Sequence, residues 1–305
     1  MHDFAIETSG LKKSFGNRLA LNGLDLRVPA GSIFGFLGRN GAGKTTTIKI
    51  LMGMLKADSG TSRVFNMDPA DPRGSIDIRS RIGFVTEDKD LYPYMNLEQM
   101  IRFTRPFFPK WRDDLERRYL KMFDLPPKRK VSDLSKGMRS KLMLLIAICH
   151  GAELLILDEP TDGLDPAAVE EVLRELVTIA GSQGATIFFS SHQLNEVEQI
   201  ADHICIVDKG RAIVTGVLDD LKQQYRRFRI VLQSEALVRP DWVREIEGIE
   251  SFRQEGRTVS ILASRNLDAI ADRIDSLSGA SVERFPVGLK EIFLEHVRSD
   301  ENALV

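Results

Sequence analysis

Between residues 38 and 46 the chain reads Gly38-Arg39-Asn40-Gly41-Ala42-Gly43-Lys44-Thr45-Thr46, and this run constrains the fold more than any other. It fits G-x-x-x-x-G-K-[ST], a loop whose glycines let backbone N–H groups wrap phosphate oxygens where a Cβ would intrude. Such a loop belongs between a buried strand and a helix, whose N-terminus adds positive potential to the anion site. The flanks provide both. Ile33-Phe34-Gly35-Phe36-Leu37 is an unbroken apolar run, and Ile48, Leu51 and Met52 recur at helical spacing over residues 46–54, with Leu55 continuing the pattern just beyond. At this spacing Lys44 neutralises β- and γ-phosphates as a point charge, and the Thr45 hydroxyl ligates Mg2+.

The rest of the chain extends the same alternation. Residues 154–157, 186–190 and 203–207 read as strands and 167–180 and 194–201 as helices, which predicts a mostly parallel sheet. Ahead of the loop, strands at 4–8 and 19–28 flank a polar turn, Phe15-Gly16-Asn17-Arg18. Residues 95–150 are poor in glycine, start at polar Asn96 and are divided by Pro106, Pro109 and Pro126-Pro127, so they read as a helical insertion. A boundary near residue 220 separates this part, 1–220, from a tail at 221–305. The tail holds candidate strands at 251–254 and 258–262 and a helix at 267–277. The expected fold is therefore α/β: a phosphate-loop core with a mostly parallel sheet, an antiparallel β subdomain, a helical insertion and a small C-terminal α+β domain.

Composition removes several classes of function. Forty-two basic and 44 acidic side chains leave a net charge of -2, which gives no broad positive field for nucleic acid or an anionic lipid surface. Cys149 and Cys205 lie far apart in apolar stretches, so they read as buried thiols in a reducing compartment. The N-terminus lacks a basic stretch ahead of a long apolar core. The longest apolar run, 142–149, is far short of membrane-spanning length.

Leu154-Leu155-Ile156-Leu157-Asp158-Glu159 is an apolar strand ending in two acids, and such strand ends face the ligand crevice of an open α/β sheet. By itself the pair reads better as a helix N-cap or a solvated loop. Beside a phosphate loop, Asp158 is placed to hold Mg2+ and Glu159 to accept a proton from an attacking water.

Five motifs now stand in order: GRNGAGKTT, LSKGMRSK at 134–141, LILDEP at 155–160, GLDP at 163–166 and SSH at 190–192. From about residue 4 to 220 the chain resembles the ATP-binding cassette family, in the form of simple two-component exporters. The resemblance implies an ATPase with ATP and Mg2+ as cofactors. It implies a homodimer, or a pair with a closely related cassette, in which Ser135 and Gly137 of one protomer close over the γ-phosphate held by Lys44 of the other. His192 resembles the family's switch histidine, and Asp165 the residue linking the two sites. Phe15 corresponds to the aromatic that stacks on adenine; the competing reading is a strand-end core residue.

Two departures stand out. Glu87 replaces the usual glutamine after the second sheet strand and, as a carboxylate, only accepts hydrogen bonds while still able to ligate Mg2+. Lys136 and Met138 replace a glycine and a glutamine of the LSKGM signature. The implied partner is an integral membrane subunit on a separate chain, with the ATPase peripheral on the cytoplasmic face. It would meet the insertion, where Phe103, Phe107, Phe108, Trp111, Tyr119 and Phe123 cluster in sequence. No nucleic acid is expected. The alternative is a soluble cassette ATPase acting on ribosomes or DNA, whose relatives usually carry two cassettes or long coiled-coil insertions. A small-molecule kinase would leave LSKG unexplained.

Overall fold

A computed structural model describes residues 3–87, 91–233, 247–275 and 280–298. The chain divides into two compact units, Met1–Thr215 and Gly216–Val305. The division cuts the last two residues from a strand at Arg211–Val217, otherwise in the first unit, and falls just ahead of a helix, Leu218–Gln224, that the sequence reading assigned in part to the first domain.

The first unit carries two sheets. Strands β1 (Phe4–Phe15), β2 (Arg18–Pro29) and β4 (Ser59–Val64) form an antiparallel sheet in the order β2-β1-β4. Strands β3 (Ile33–Leu37), β5 (Ile82–Val85), β6 (Leu154–Asp158), β7 (Thr186–Ser191), β8 (His203–Asp208) and β9 (Arg211–Val217) form the second, in the order β5-β6-β7-β3-β8-β9. The pairs β5/β6, β6/β7, β7/β3 and β3/β8 are parallel. All residues of β3, β6 and β7 are buried, as strands with helices on both faces must be. Phe34, Phe36 and Phe188 meet at ring-centroid distances of 5.9 and 5.2 Å in the core these sheets share.

Around them stand α1 (Lys44–Leu51), α2 (Pro72–Arg81), α3 (Leu97–Thr104), α4 (Asp113–Met122), α5 (Lys136–Cys149), α6 (Pro166–Gln183) and α7 (Leu194–Ile200). Helices α3 to α5 form the insertion. Asn96 starts α3 with a reciprocal cap, accepting from Gln99 N while the Gln99 side chain accepts from Asn96 N. Tyr119 and Phe123 are core, whereas Phe103 and Phe107 are exposed. Cys149 and Cys205 are buried free thiols. Among the described residues, no helix is long and apolar enough to cross a membrane.

The structure corrects the sequence reading in three places. Strand β1 runs on to Phe15, because Gly10 at φ 57° and register shifts let it bend past residue 8. Helix α1 begins at Lys44, so Lys44 and Thr45 stand in its first turn. Strands β4 and β9 and helix α2 carry too few buried positions to show periodicity: α2 buries only Ser75 and Ile78 and is set by the Asp71 cap and Pro72.

The second unit contains α8 (Leu218–Gln224), β10 (Arg226–Leu232), β11 (Ile249–Glu255), β12 (Thr258–Ala263), α9 (Leu267–Asp275), β13 (Ala280–Pro286) and α10 (Leu289–Arg298). Its four strands pair antiparallel in the order β11-β12-β10-β13, and Ile270 and Ile274 of α9 pack on Phe228, Ile230, Val259 and Ile261.

Gly35, in the middle of β3, lies directly against α7: a Cβ there would overlap Val197 Cγ1. Gly35→Ala is therefore expected to lower the unfolding free energy by about 1–3 kcal/mol through overpacking, read as a shift of the urea midpoint.

Candidate functional site

Strand register assembles the site. Leu37 pairs with Ser191 and Asp158 with Ser190, so β3, β6 and β7 end side by side. The residues that follow, Gly38, Glu159 and His192, emerge at one edge of the sheet.

The phosphate loop fits tightly behind that edge. A Cβ at Gly38 would lie 2.5 Å from Val207 O, and one at Gly43 would lie 2.7 Å from Leu21 Cδ2 and 2.8 Å from Ala20 O. Gly41 and Gly43 have φ of 84° and 112°, the left-handed region that favours glycine. Gly43 then serves as the N-cap position of α1. Lys44 Nζ donates to Gly38 O at 2.8 Å and lies 3.7 Å from Glu159 Oε1, with both side chains nearly buried.

Behind the loop, Ser190 joins the two acids: its Oγ donates to Asp158 Oδ1 at 2.5 Å and accepts from Glu159 N at 3.1 Å. Glu159 itself has φ 50°, an unusual backbone state for a residue with a Cβ and one that collects at functional sites. Glu159 Oε2 lies 2.9 Å from His192 Nδ1 and accepts from His192 N at 3.4 Å. Burial pushes the Glu159 carboxyl up, and the nearby His192 and Lys44 offset part of that effect.

A cleft of about 690 Å3 opens over these groups. Its lining brings together Phe15, Asn40, Gly41, Gly43, Lys44, Thr45, Thr46, Glu87, Asp158, Glu159 and His192. Gly38 and Ala42 are buried on the inner side of the loop. Phe15 is 51% exposed, so the competing reading of it as a strand-end core residue does not hold. Thr45, Asp158 and Glu87 offer one hydroxyl and two carboxylates. Such hard oxygen donors suit Mg2+, which is usually held by one or two carboxylates together with substrate phosphates rather than by an all-protein cage.

Ser135, Gly137 and Asp165 are not in this lining. Ser135 is exposed and caps α5, accepting from Met138 N at 3.2 Å. Asp165 is exposed and caps α6, accepting from Ala168 N at 3.0 Å, and this bond holds its carboxyl below the usual range. The structure also adds Arg39, a variable position of the glycine-rich loop, and Arg18 and Asp162, which lie outside the five motifs, to the cleft wall, and Ser190, whose bridging role needed the β6/β7 pairing to be visible.

Residues 21–162 match the family profile described as ABC transporter. An ABC transporter ATP-binding protein of Bacillus subtilis (strain 168), YhaQ, is 33% identical over 93% of this chain and 96% of its own length. The chain belongs to the ABC transporter ATP-binding family. This cassette is accordingly an ATP-binding ATPase. It is also 34% identical, over 99% of its length and 98% of the relative's, to the daunorubicin resistance ATP-binding protein DrrA3 of Streptomyces coeruleorubidus. The bacitracin transport ATP-binding protein BcrA of Bacillus licheniformis is 35% identical over 76% of the cassette and 77% of BcrA.

Residues 127–198 also match a profile described as AAA domain, putative AbiEii toxin, Type IV TA system; that match, like the first, includes Asp158 and Glu159. Among solved structures, an ATP binding subunit of an ABC transporter superposes with a TM-score of 0.65 at 28% identity, covering 72% of this chain and 92% of the other. The dimeric cassette MJ0796 shares the fold with a TM-score of 0.64 at 20% identity, over 70% of this chain and 98% of the other.

Ser190→Ala removes both bridging bonds and leaves a buried carboxylate and amide short of a partner. It is expected to destabilise the cassette by about 1–3 kcal/mol, measured as unfolding free energy in denaturant.

Proposed function

We propose that this cassette is the ATP-hydrolysing subunit of an exporter. Two copies, or one copy and a closely related cassette, close head to tail on two Mg-ATP molecules and drive an integral membrane subunit carried on a separate chain. The cassette then works on the cytoplasmic face of the membrane.

The observation that carries this reading is the make-up of the cleft. It gathers Lys44, Glu159 and His192 within hydrogen-bond or ion-pair reach, yet Ser135 and Gly137 lie outside it. A serine hydroxyl and backbone N–H groups at an exposed helix start make an anion cap without a basic side chain. In a head-to-tail pair that cap closes the other protomer's cleft, and Asp165 links the two sites.

Within one cleft the roles follow from position. Phe15 offers its ring to adenine, the loop amides with Asn40 and Thr46 cradle the phosphate tail, and Lys44 meets the γ-phosphate. Thr45, Asp158 and Glu87 would hold Mg2+, which would neutralise phosphate charge there. Glu159 accepts the proton of the attacking water, and its burial raises the affinity for that proton. His192 fixes the carboxylate through the 2.9 Å contact and faces the γ-phosphate.

Support for export comes from relatives named for bacitracin transport and daunorubicin resistance. The helical insertion offers a surface for the membrane subunit. Tyr92, Tyr94, Phe103 and Phe107 are exposed and meet in a chain of ring contacts 5.4–5.8 Å apart.

Glu159→Gln keeps the shape of the side chain and removes the base. It is expected to retain Mg-ATP binding, slow hydrolysis by about 10²-fold or more, and elute as an ATP-bound dimer in size-exclusion chromatography. A protein that stays monomeric at saturating Mg-ATP while turning it over at full rate would sink the composite site.

A further inference from the structure

Glu196, in the first turn of α7, is 7% exposed, and among the described residues no lysine or arginine pairs with it. Its Oε2 accepts from Thr161 Oγ1 at 2.6 Å and from Ser191 Oγ at 3.4 Å. Ser191 Oγ in turn accepts from Gln193 N at 2.9 Å. All three residues are buried, and none lines the nucleotide cleft.

Their positions in the chain give the contact its meaning. Thr161 stands two residues beyond Glu159, and Ser191 immediately precedes His192. One carboxylate oxygen thus holds both segments whose neighbouring residues form the Glu159–His192 contact. Those segments need holding. Glu159 has φ 50°, and a strained residue of this kind persists only where its surroundings fix the chain on both sides. On one side Glu159 N donates to Ser190 Oγ; on the other Asp162 N donates to Glu159 O at 3.2 Å and Thr161 is tied to Glu196.

A carboxylate buried without a cation is unfavourable, and desolvation pushes the Glu196 carboxyl up. An apolar side chain would fill this place at less cost, as Val197 does one residue later against Gly35. The acceptor is what an apolar residue cannot supply.

We propose that Glu196 is a positioning residue for hydrolysis: anchored by α7, its carboxylate clamps Thr161 and Ser191 so that Glu159 and His192 hold their mutual orientation. The inference rests on the reading of Glu159 and His192 given above.

Two readouts test it: steady-state ATPase kinetics, and the His192 ring-proton resonance of nucleotide-free protein at fixed pH, assigned by its loss in His192→Gln. Glu196→Ala is expected to lower kcat by about 10-fold or more while KM for ATP stays within about 2-fold, and to move the His192 resonance. Glu196→Gln, whose amide oxygen still accepts from Thr161, restores most of kcat. Thr161→Val reproduces the loss, Thr161→Ser does not, and combining Thr161→Val with Glu196→Ala adds little further. The Thr161 pair carries the same comparison should Glu196→Ala fail to fold. An unmoved resonance with unchanged kcat overturns the clamp. A moved resonance with unchanged kcat overturns the catalytic reading of Glu159 and His192 on which it rests. Loss of kcat that Glu196→Gln does not restore, or that comes with an equal loss of nucleotide affinity, reduces Glu196 to a packing residue.

Discussion

The parallel register of β6, β7 and β3 is the constraint on which the site depends. With Asp158 opposite Ser190 and Ser191 opposite Leu37, three strand ends place Glu159, His192 and the glycine-rich loop side by side. Side chains alternate faces with a period of two, so a slip of one residue would send Asp158 to the other side of the sheet. The register is held by buried apolar side chains on both faces and by the Ser190 hydroxyl, which bonds Asp158 and the Glu159 amide. Packing and chemistry therefore share the same few residues.

Much of the first unit's buried charge is concentrated at that edge: Lys44, Asp158, Glu159 and Glu196 are all less than a tenth exposed. Each has a compensating partner, whether an ion pair, a histidine or a hydroxyl. Partially compensated burial of this kind lowers stability, and the raised carboxyls of Glu159 and Glu196 are its signature. The apolar core beneath, with Phe34, Phe36 and Phe188, offsets it.

The loop beyond Glu159 is also where the helical insertion attaches. Ser140 Oγ of α5 donates to Asp162 O at 3.1 Å, Lys136 pairs with Asp162 at 2.5 Å, and a Cβ at Gly137 would lie 2.8 Å from Gly163 O. Further along, Glu175 of α6 accepts from Arg118 and Tyr119 of α4. The first turns of α5, which begin at the exposed Ser135 cap, thus pack against the segment that follows Glu159. The departure at Lys136 has a local reason here, since glycine could not make the contact with Asp162.

Features that depend on short spacing are legible in the residues alone. The glycines of residues 38–43 and the apolar run into Asp158 and Glu159 are local features, because backbone conformation responds to immediate neighbours. Phe15 was ambiguous because one aromatic beside a turn has the same local pattern whether buried or exposed, and only packing distinguishes the two. Strands β4 and β9 show no period because their stability comes from neighbours in space, and helix α2 shows none because it buries only Ser75 and Ile78 and is set by its cap. Tertiary structure alone decided that Ser190 bridges two acids, that Arg18, Arg39 and Asp162 reach the cleft, and that Glu196 grips two segments 30 residues apart. A hydrogen bond between distant residues leaves no period in a sequence, since it is created only when strand pairing brings the two segments together.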